Sequence, residues 1–220
     1  ILNKLGKHMP FYDRKIELIV STHPHADHLA GLIEVIKRYK VDWIVSLGLT
    51  HSTETYKIWR DWINKKRITV FEARRGLVAR VDKVTLFVLH PPKNLDREVE
   101  NINNYSLVLR LVFGRTSVLF TGDIEKEAEQ NLLEEGFYLK SDILKVAHQG
   151  SNSSSMSDFL KAVNPQYAII SVGKNKYGHP HQEVLNRLTG RKILRTDVNG
   201  DIECVLDGED INCQGSKRES

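Results

Sequence analysis

The 220-residue chain has only two cysteines, two methionines and six prolines. Two cysteines are too few for a disulfide-dense scaffold, and Cys204 and Cys213 match no zinc-module spacing. They leave open a pairing across a short C-terminal hairpin or two free thiols, and they select no redox compartment. No apolar run approaches the roughly 20 residues of a membrane-spanning helix, and no secretory leader is visible. Neither sign of charge dominates: 32 Lys and Arg against 28 Asp and Glu give +4, with an isoelectric point near 9.0. This is a mild lean toward polyanionic partners that an ordinary basic surface explains equally well. The chain starts at Ile1, which reads as an excised domain, so a missing leader or span says nothing about an intact protein.

What is present suits a folded domain. A hydrophobic content of 40% and a charged content of 27% fit one sizeable α/β domain over residues 1–220 rather than a disordered chain. No internal repeat or low-complexity linker interrupts it. Apolar runs predict strands over residues 16–22, 41–46, 68–71, 77–81 and 84–89. A hairpin follows over 107–113 and 117–121 around Gly114, then strands over 142–147, 167–172, 193–196 and 202–206. Helical spacing predicts helices over 29–39, 53–63, 124–134, 156–163 and 181–188, with Leu29, Leu32, Ile33 and Ile36 on one buried face. A polar loop is expected over 91–104. Strands that first cluster and then alternate with helices imply a two-sheet core with helices outside.

The chemistry concentrates in His23-Pro24-His25-Ala26-Asp27-His28, directly after the first strand. Imidazole and carboxylate are donors for Zn²⁺ and similar divalent ions. Their chain spacing gives His23 and His25 to one ion and Asp27 and His28 to a second, in a centre whose ions stand roughly 3.5–4 Å apart. Asp123, in Thr121-Gly122-Asp123 at a strand end, either bridges both ions or caps the following helix. His148, at another strand end before Gln149-Gly150-Ser151, is the best remaining ligand for the second ion. His179, in Gly178-His179-Pro180-His181, reads as a donor to a metal ligand, a proton source for the leaving group or a phosphate contact, and His181 as a helix cap. Ser151 can donate to a phosphate oxygen. Asn103, Asn104 and Ser106 either line the cleft or form an ordinary turn. His90 reads as a partly buried structural histidine, and His8 and His51 as surface residues.

These motifs resemble the metallo-β-lactamase superfamily and, more narrowly, its ComEC-like branch of competence DNA-uptake channel proteins. The resemblance rests on residues 22–28, Asn103-Asn104-Tyr105-Ser106, residues 121–123, His148 with Gly150-Ser151, and Tyr177-Gly178-His179-Pro180. It implies an αββα sandwich lacking the family's opening strands. It also implies a dinuclear centre of Zn²⁺ or Mn²⁺ held by His23, His25, Asp27, His28, Asp123 and His148. Asp27 and His179 would be catalytic, and Asn104, Ser106, Ser151 and His179 would contact substrate. The implied activity is a phosphodiesterase or nuclease acting on DNA during uptake. The implied setting is a soluble segment on the extracytoplasmic side of a bacterial membrane protein, partnered by that protein's channel portion. A small-molecule metallo-hydrolase and a non-catalytic DNA-binding domain are the rival readings. Two departures stand out: no histidine matches the superfamily's usual one between residues 28 and 123, and Gln149 stands where the branch commonly has histidine.

Overall fold

Apolar strands joined by amphipathic helices require parallel pairing, because a helical crossover returns the chain to the same end of the sheet. The computed structural model shows this arrangement twice. It describes residues 1–93 and 101–217, which divide into two compact units: Ile1–Ala73 with residues 101–102, and residues 74–93 with 103–217. The polar loop expected over 91–104 lies partly outside the described residues. Its described end is a 3-10 turn, Ile102–Tyr105.

In the first unit a short helix α1 (Leu2–His8) precedes β1 (Lys15–Val20), α2 (Ala26–Arg38), β2 (Lys40–Ser46), α3 (Glu54–Lys66) and β3 (Thr69–Glu72). The strands form one parallel sheet in the order β1-β2-β3. The expected stripe on α2 is buried at Leu29, Ile33 and Ile36, with Val35 added. Leu32 is only partly buried against the same core. Helix α3 begins at Thr53, whose hydroxyl accepts from the Tyr56 N–H at 3.4 Å. It ends with Lys65 and Lys66 in its last turn and Arg67 in the left-handed region, where cations suit the carboxyl end of the dipole. Helix α1 was not expected. Seven residues containing Gly6 are too few to hold a helix alone, and Leu2 and Leu5 fix it by packing on this unit's core.

The second unit carries β4 (Val78–Val81), β5 (Val84–His90), β6 (Val108–Phe113) and β7 (Thr116–Phe120) as an antiparallel meander. The chain then passes through α4 (Lys126–Glu134), β8 (Ile143–Lys145), α5 (Ser157–Val163), β9 (Tyr167–Ile170), α6 (Gln182–Arg187) and β10 (Lys192–Arg195). Strands β7 to β10 are parallel, giving one seven-stranded sheet in the order β10-β9-β8-β7-β6-β5-β4. Leu119, Leu132, Leu144, Phe159 and Leu160 are almost fully buried in its core, each contributing about 1.5–3 kcal/mol by leaving water.

A short helix α7 (Thr196–Asn199) leads to an antiparallel hairpin of β11 (Ile202–Leu206) and β12 (Ile211–Gly215). Cys204 and Cys213 face each other across it and form a disulfide, which resolves the alternatives left open above. Among the described residues no helix is long and apolar enough to cross a membrane.

Candidate metal centre

In each unit the candidate ligands stand where parallel strands end, the edge at which open α/β sheets place their sites. In the first unit β1 ends at Val20 and His23 follows three residues later. His25 is the N-cap of α2, in extended backbone, and Asp27 lies in that helix's first turn. A carboxylate there is favoured by the helix dipole.

The three imidazoles of the motif gather on His23. Its ring centroid is 4.8 Å from that of His25 and 4.1 Å from that of His28. His23 is 1% exposed, and its Nδ1 is 3.1 Å from Thr22 Oγ1. Chain spacing alone divided the motif into two pairs; the folded geometry instead brings His28 beside His23. The Asp27 side chain is 65% exposed, with Oδ2 3.6 Å from His28 Nε2. His51 differs from the surface residue expected: it is half-buried, 6.0 Å from His25 ring to ring, with Nδ1 3.0 Å from Thr53 Oγ1. The cap of α3 draws it in.

In the second unit β7, β8 and β9 end beside one another. Thr121-Gly122-Asp123 follows β7. Thr121 is fully buried and its hydroxyl donates to the Lys145 carbonyl at 2.6 Å. Asp123 is 6% exposed, and its N–H donates to Ser106 Oγ at 3.2 Å. The N-cap of α4 is Glu125, not Asp123, so Asp123 is not committed to capping. Ser106 is fully buried and supports the Asp123 backbone. Asn104 accepts from the Glu125 N–H at 2.9 Å and donates to Glu127 at 3.0 Å, and Asn103 donates to Glu125 at 3.3 Å. The asparagine pair therefore braces the start of α4.

His148 follows β8 on an unusual backbone. His148, Gln149 and Gly150 take φ of 46°, 54° and 82° in succession. Left-handed geometry costs a residue with a side chain about 1–2 kcal/mol, and such strain gathers at functional sites. Two contacts hold this loop: the His148 N–H donates to the Gly122 carbonyl at 3.2 Å and the His181 N–H to the Gly150 carbonyl at 2.9 Å. Gly150 admits no substitute without displacement, since a Cβ there would meet Pro180 at 2.6 Å. Ser151 is 6% exposed, and its hydroxyl is 3.0 Å from Ser153 Oγ.

Sequence reading missed Glu125. Its Oε1 lies 3.4 Å from His148 Nδ1, a carboxylate beside the imidazole without a hydrogen bond to that nitrogen. Only its position two residues after Asp123 hinted at this, because the contact depends on β7 lying beside β8. His179 is half-buried with its ring 5.5 Å from that of His148. Burial lowers its pKa, and the neighbouring His148 and His181 lower it further. His181 occupies the N-cap position of α6 without a side-chain capping bond. His90 is structural as expected: it is 3% exposed, with Nε2 2.8 Å from the Asn104 carbonyl.

Clustered imidazoles in one unit, and in the other a buried carboxylate and an imidazole from neighbouring strand ends, are the donor chemistry of divalent transition-metal sites. The chain belongs to the metallo-β-lactamase superfamily, whose family model matches residues 13–174, and members of this superfamily are generally metal-dependent hydrolases. Its curated relatives include ComEC-like competence proteins. It is 34% identical over 194 residues to ComE operon protein 3 of Bacillus subtilis (strain 168), covering 86% of this chain and 24% of that protein. It is 40% identical over 126 residues to competence protein ComA of Neisseria gonorrhoeae, covering 56% of this chain and 18% of that protein. The chain thus spans a quarter or less of the curated relatives it matches. Among solved structures it is similar to Igni18, a metallo hydrolase from Ignicoccus hospitalis, with a TM-score of 0.53 at 16% identity, covering 90% of this chain and 81% of that one. At that identity the likeness shows the fold: mixed α/β, of metallo-β-lactamase type.

Proposed function

We propose that this chain, read as one domain over residues 1–220, is a metal-dependent phosphodiesterase that cuts DNA as part of a ComEC-like uptake protein. The observation that carries this reading is the His148 loop. An imidazole with the Glu125 carboxylate 3.4 Å away stands on left-handed backbone at a strand end, in a chain whose curated relatives include ComEC-like competence proteins. The proposed ligands are His23, His25, Asp27, His28, Asp123 and His148, holding two ions of Zn²⁺ or Mn²⁺. When bound, the ions supply Lewis acidity and lower the pKa of water toward neutrality.

The chain's own residues divide the remaining work. The exposed Asp27 carboxylate accepts the proton released from the attacking water. The Glu125 carboxylate, 3.4 Å from His148 Nδ1, biases the ring electrostatically, and Ser106 holds the Asp123 backbone from behind rather than touching substrate. His179, whose lowered pKa favours the neutral ring, offers an N–H to a phosphate oxygen and completes the charge stabilisation. Asn104 and Ser151 line the approach, each tied back by the contacts described above. The proposed setting is the extracytoplasmic side of a bacterial membrane, with the channel portion of the same protein as partner. The Cys204–Cys213 disulfide supports this, because such bonds persist in oxidising compartments.

Cleavage of end-labelled DNA tests the reading. Chelation of metal, and separately Asp123→Ala, should each abolish it; unchanged cleavage in either case overturns the proposal. Bis-p-nitrophenyl phosphate run beside a chromogenic lactam and an ester fixes the bond class. Preference for the lactam or ester would favour a small-molecule hydrolase, and no turnover of any substrate a DNA-binding domain.

A further inference from the structure

The Tyr177-Gly178-His179-Pro180 motif includes a residue that the proposed chemistry does not use. Tyr177 is 64% exposed, so its ring contributes little to the core. Its loop is nevertheless firmly built. Asn175 makes four hydrogen bonds to the backbone around it: Oδ1 accepts from the Tyr177 N–H at 3.0 Å and the His179 N–H at 3.1 Å. Its Nδ2 donates to the Gly173 and His179 carbonyls, both at 2.9 Å. Gly178, at φ 77°, makes the turn between the two rings. A clamp of this kind does not serve to bury the tyrosine. It fixes where an exposed aromatic face stands relative to His179.

That face has a defined neighbourhood. The Tyr177 ring lies 5.7 Å from the His179 ring at an interplanar angle of 31°, and the His179 ring lies 5.5 Å from that of His148. A row of three rings thus runs from an exposed position to a proposed metal ligand. Lys176 Nζ stands 5.6 Å from the Tyr177 centroid, and Lys174 is exposed on the same loop. An exposed aromatic face among cations beside a phosphate-handling site is the chemistry that binds unpaired nucleotides, with bases stacking on the ring and ammonium groups meeting the backbone. A paired base in a duplex is already stacked on both faces and cannot use it without being extruded.

We infer that Tyr177, positioned by Asn175, is a stacking platform for an unpaired base flanking the scissile phosphate, so that the substrate is single-stranded DNA. The inference rests on the reading of this site as a DNA phosphodiesterase. Its test is therefore a binding measurement made without metal, which is independent of turnover. The full chain in chelator is titrated against labelled oligodeoxythymidine and against an abasic oligomer of the same length and charge, read by fluorescence anisotropy. Wild type should bind the base-bearing strand roughly 5- to 150-fold more tightly, the range expected of one base–aromatic stack. Tyr177→Ala should bring the two strands to within about twofold, while Tyr177→Phe, which keeps the ring, should retain the preference. Equal binding of both strands by wild type, or an undiminished preference in Tyr177→Ala, overturns the inference. Base-dependent binding through Tyr177 in a chain that cleaves nothing would leave the platform standing and remove the phosphodiesterase reading instead.

Discussion

The two units carry similar donor chemistry but build it in opposite ways. In the first, three histidines and an aspartate lie within six consecutive residues after a single strand, on ordinary extended and helical backbone. In the second, Asp123, His148 and His179 come from three different strand ends. They are held by two residues with side chains in left-handed geometry, by Gly150 against Pro180, and by a carboxylate from the N-cap of α4. A contiguous motif needs only its own turn and the start of one helix. A dispersed one needs the sheet order to be right, so its geometry is stabilised by the whole unit and is correspondingly easier to disturb from a distance.

The orienting contacts should show this contrast most strongly. Glu125→Gln keeps the size of the side chain but removes the charge facing His148 Nδ1. It should lower metal affinity or hydrolysis by about 10- to 100-fold, the usual cost of losing a residue that orients a metal-binding histidine. Thr22→Val removes the neutral hydroxyl 3.1 Å from His23 Nδ1 and should cost less, since a neutral hydrogen bond contributes about 0.5–1.5 kcal/mol. Metal titrations of the two variants compare them directly. A larger loss for Thr22→Val would reverse the assignment of the second unit as the more fragile one.

Sensitivity of stability to pH is the next effect in size, and it belongs to the second unit. Burial depresses the His90 pKa from 6.5 to about 4, with Arg75 adding to the shift. As pH falls below 6.5 the unfolded chain takes up the proton first, so His90 contributes stability above 6.5 that is lost toward 4. Burial raises the Glu129 pKa from 4.5 to about 7, although the Ser155 and Met156 N–H groups it accepts from, and Arg187, oppose the shift. As pH rises above 4.5 the unfolded chain loses that proton first, so this contribution is present below 4.5 and lost toward 7. Between 4.5 and 6.5 the two slopes oppose each other, each at most about 1.4 kcal/mol per pH unit. Urea denaturation across that window should show stability falling with rising pH in His90→Gln and rising in Glu129→Gln, relative to wild type. Parallel slopes in the two variants would contradict the burial account.

Much of the frame was legible from sequence because each element announces itself locally. The apolar run before His23, the stripe of Leu29, Ile33 and Ile36, and the hairpin around Gly114 each follow from periodicity and turn chemistry. The fold class could be read in the same way. Three things could not. Helix α1 exists only because Leu2 and Leu5 find a core to pack on. Strand β12, with Asn212 and Gln214 alternating between its other residues, is stabilised by pairing with β11 and by the Cys204–Cys213 bond. The left-handed turn at His148 and Gln149 has no sequence signal, because residues that do not favour that geometry adopt it under tertiary constraint. Glu125 stayed hidden for a related reason: a carboxylate near a helix start is ordinary until the neighbouring strand brings His148 to it.

The central proposal is a dinuclear metal centre. Elemental analysis of the purified chain, after loading with Mn²⁺ or Zn²⁺ and removal of excess, measures this directly. A ratio of about two ions per chain, the occupancy of a two-metal hydrolase, is expected. A ratio below about one would rule out the dinuclear centre and contradict the two-metal account.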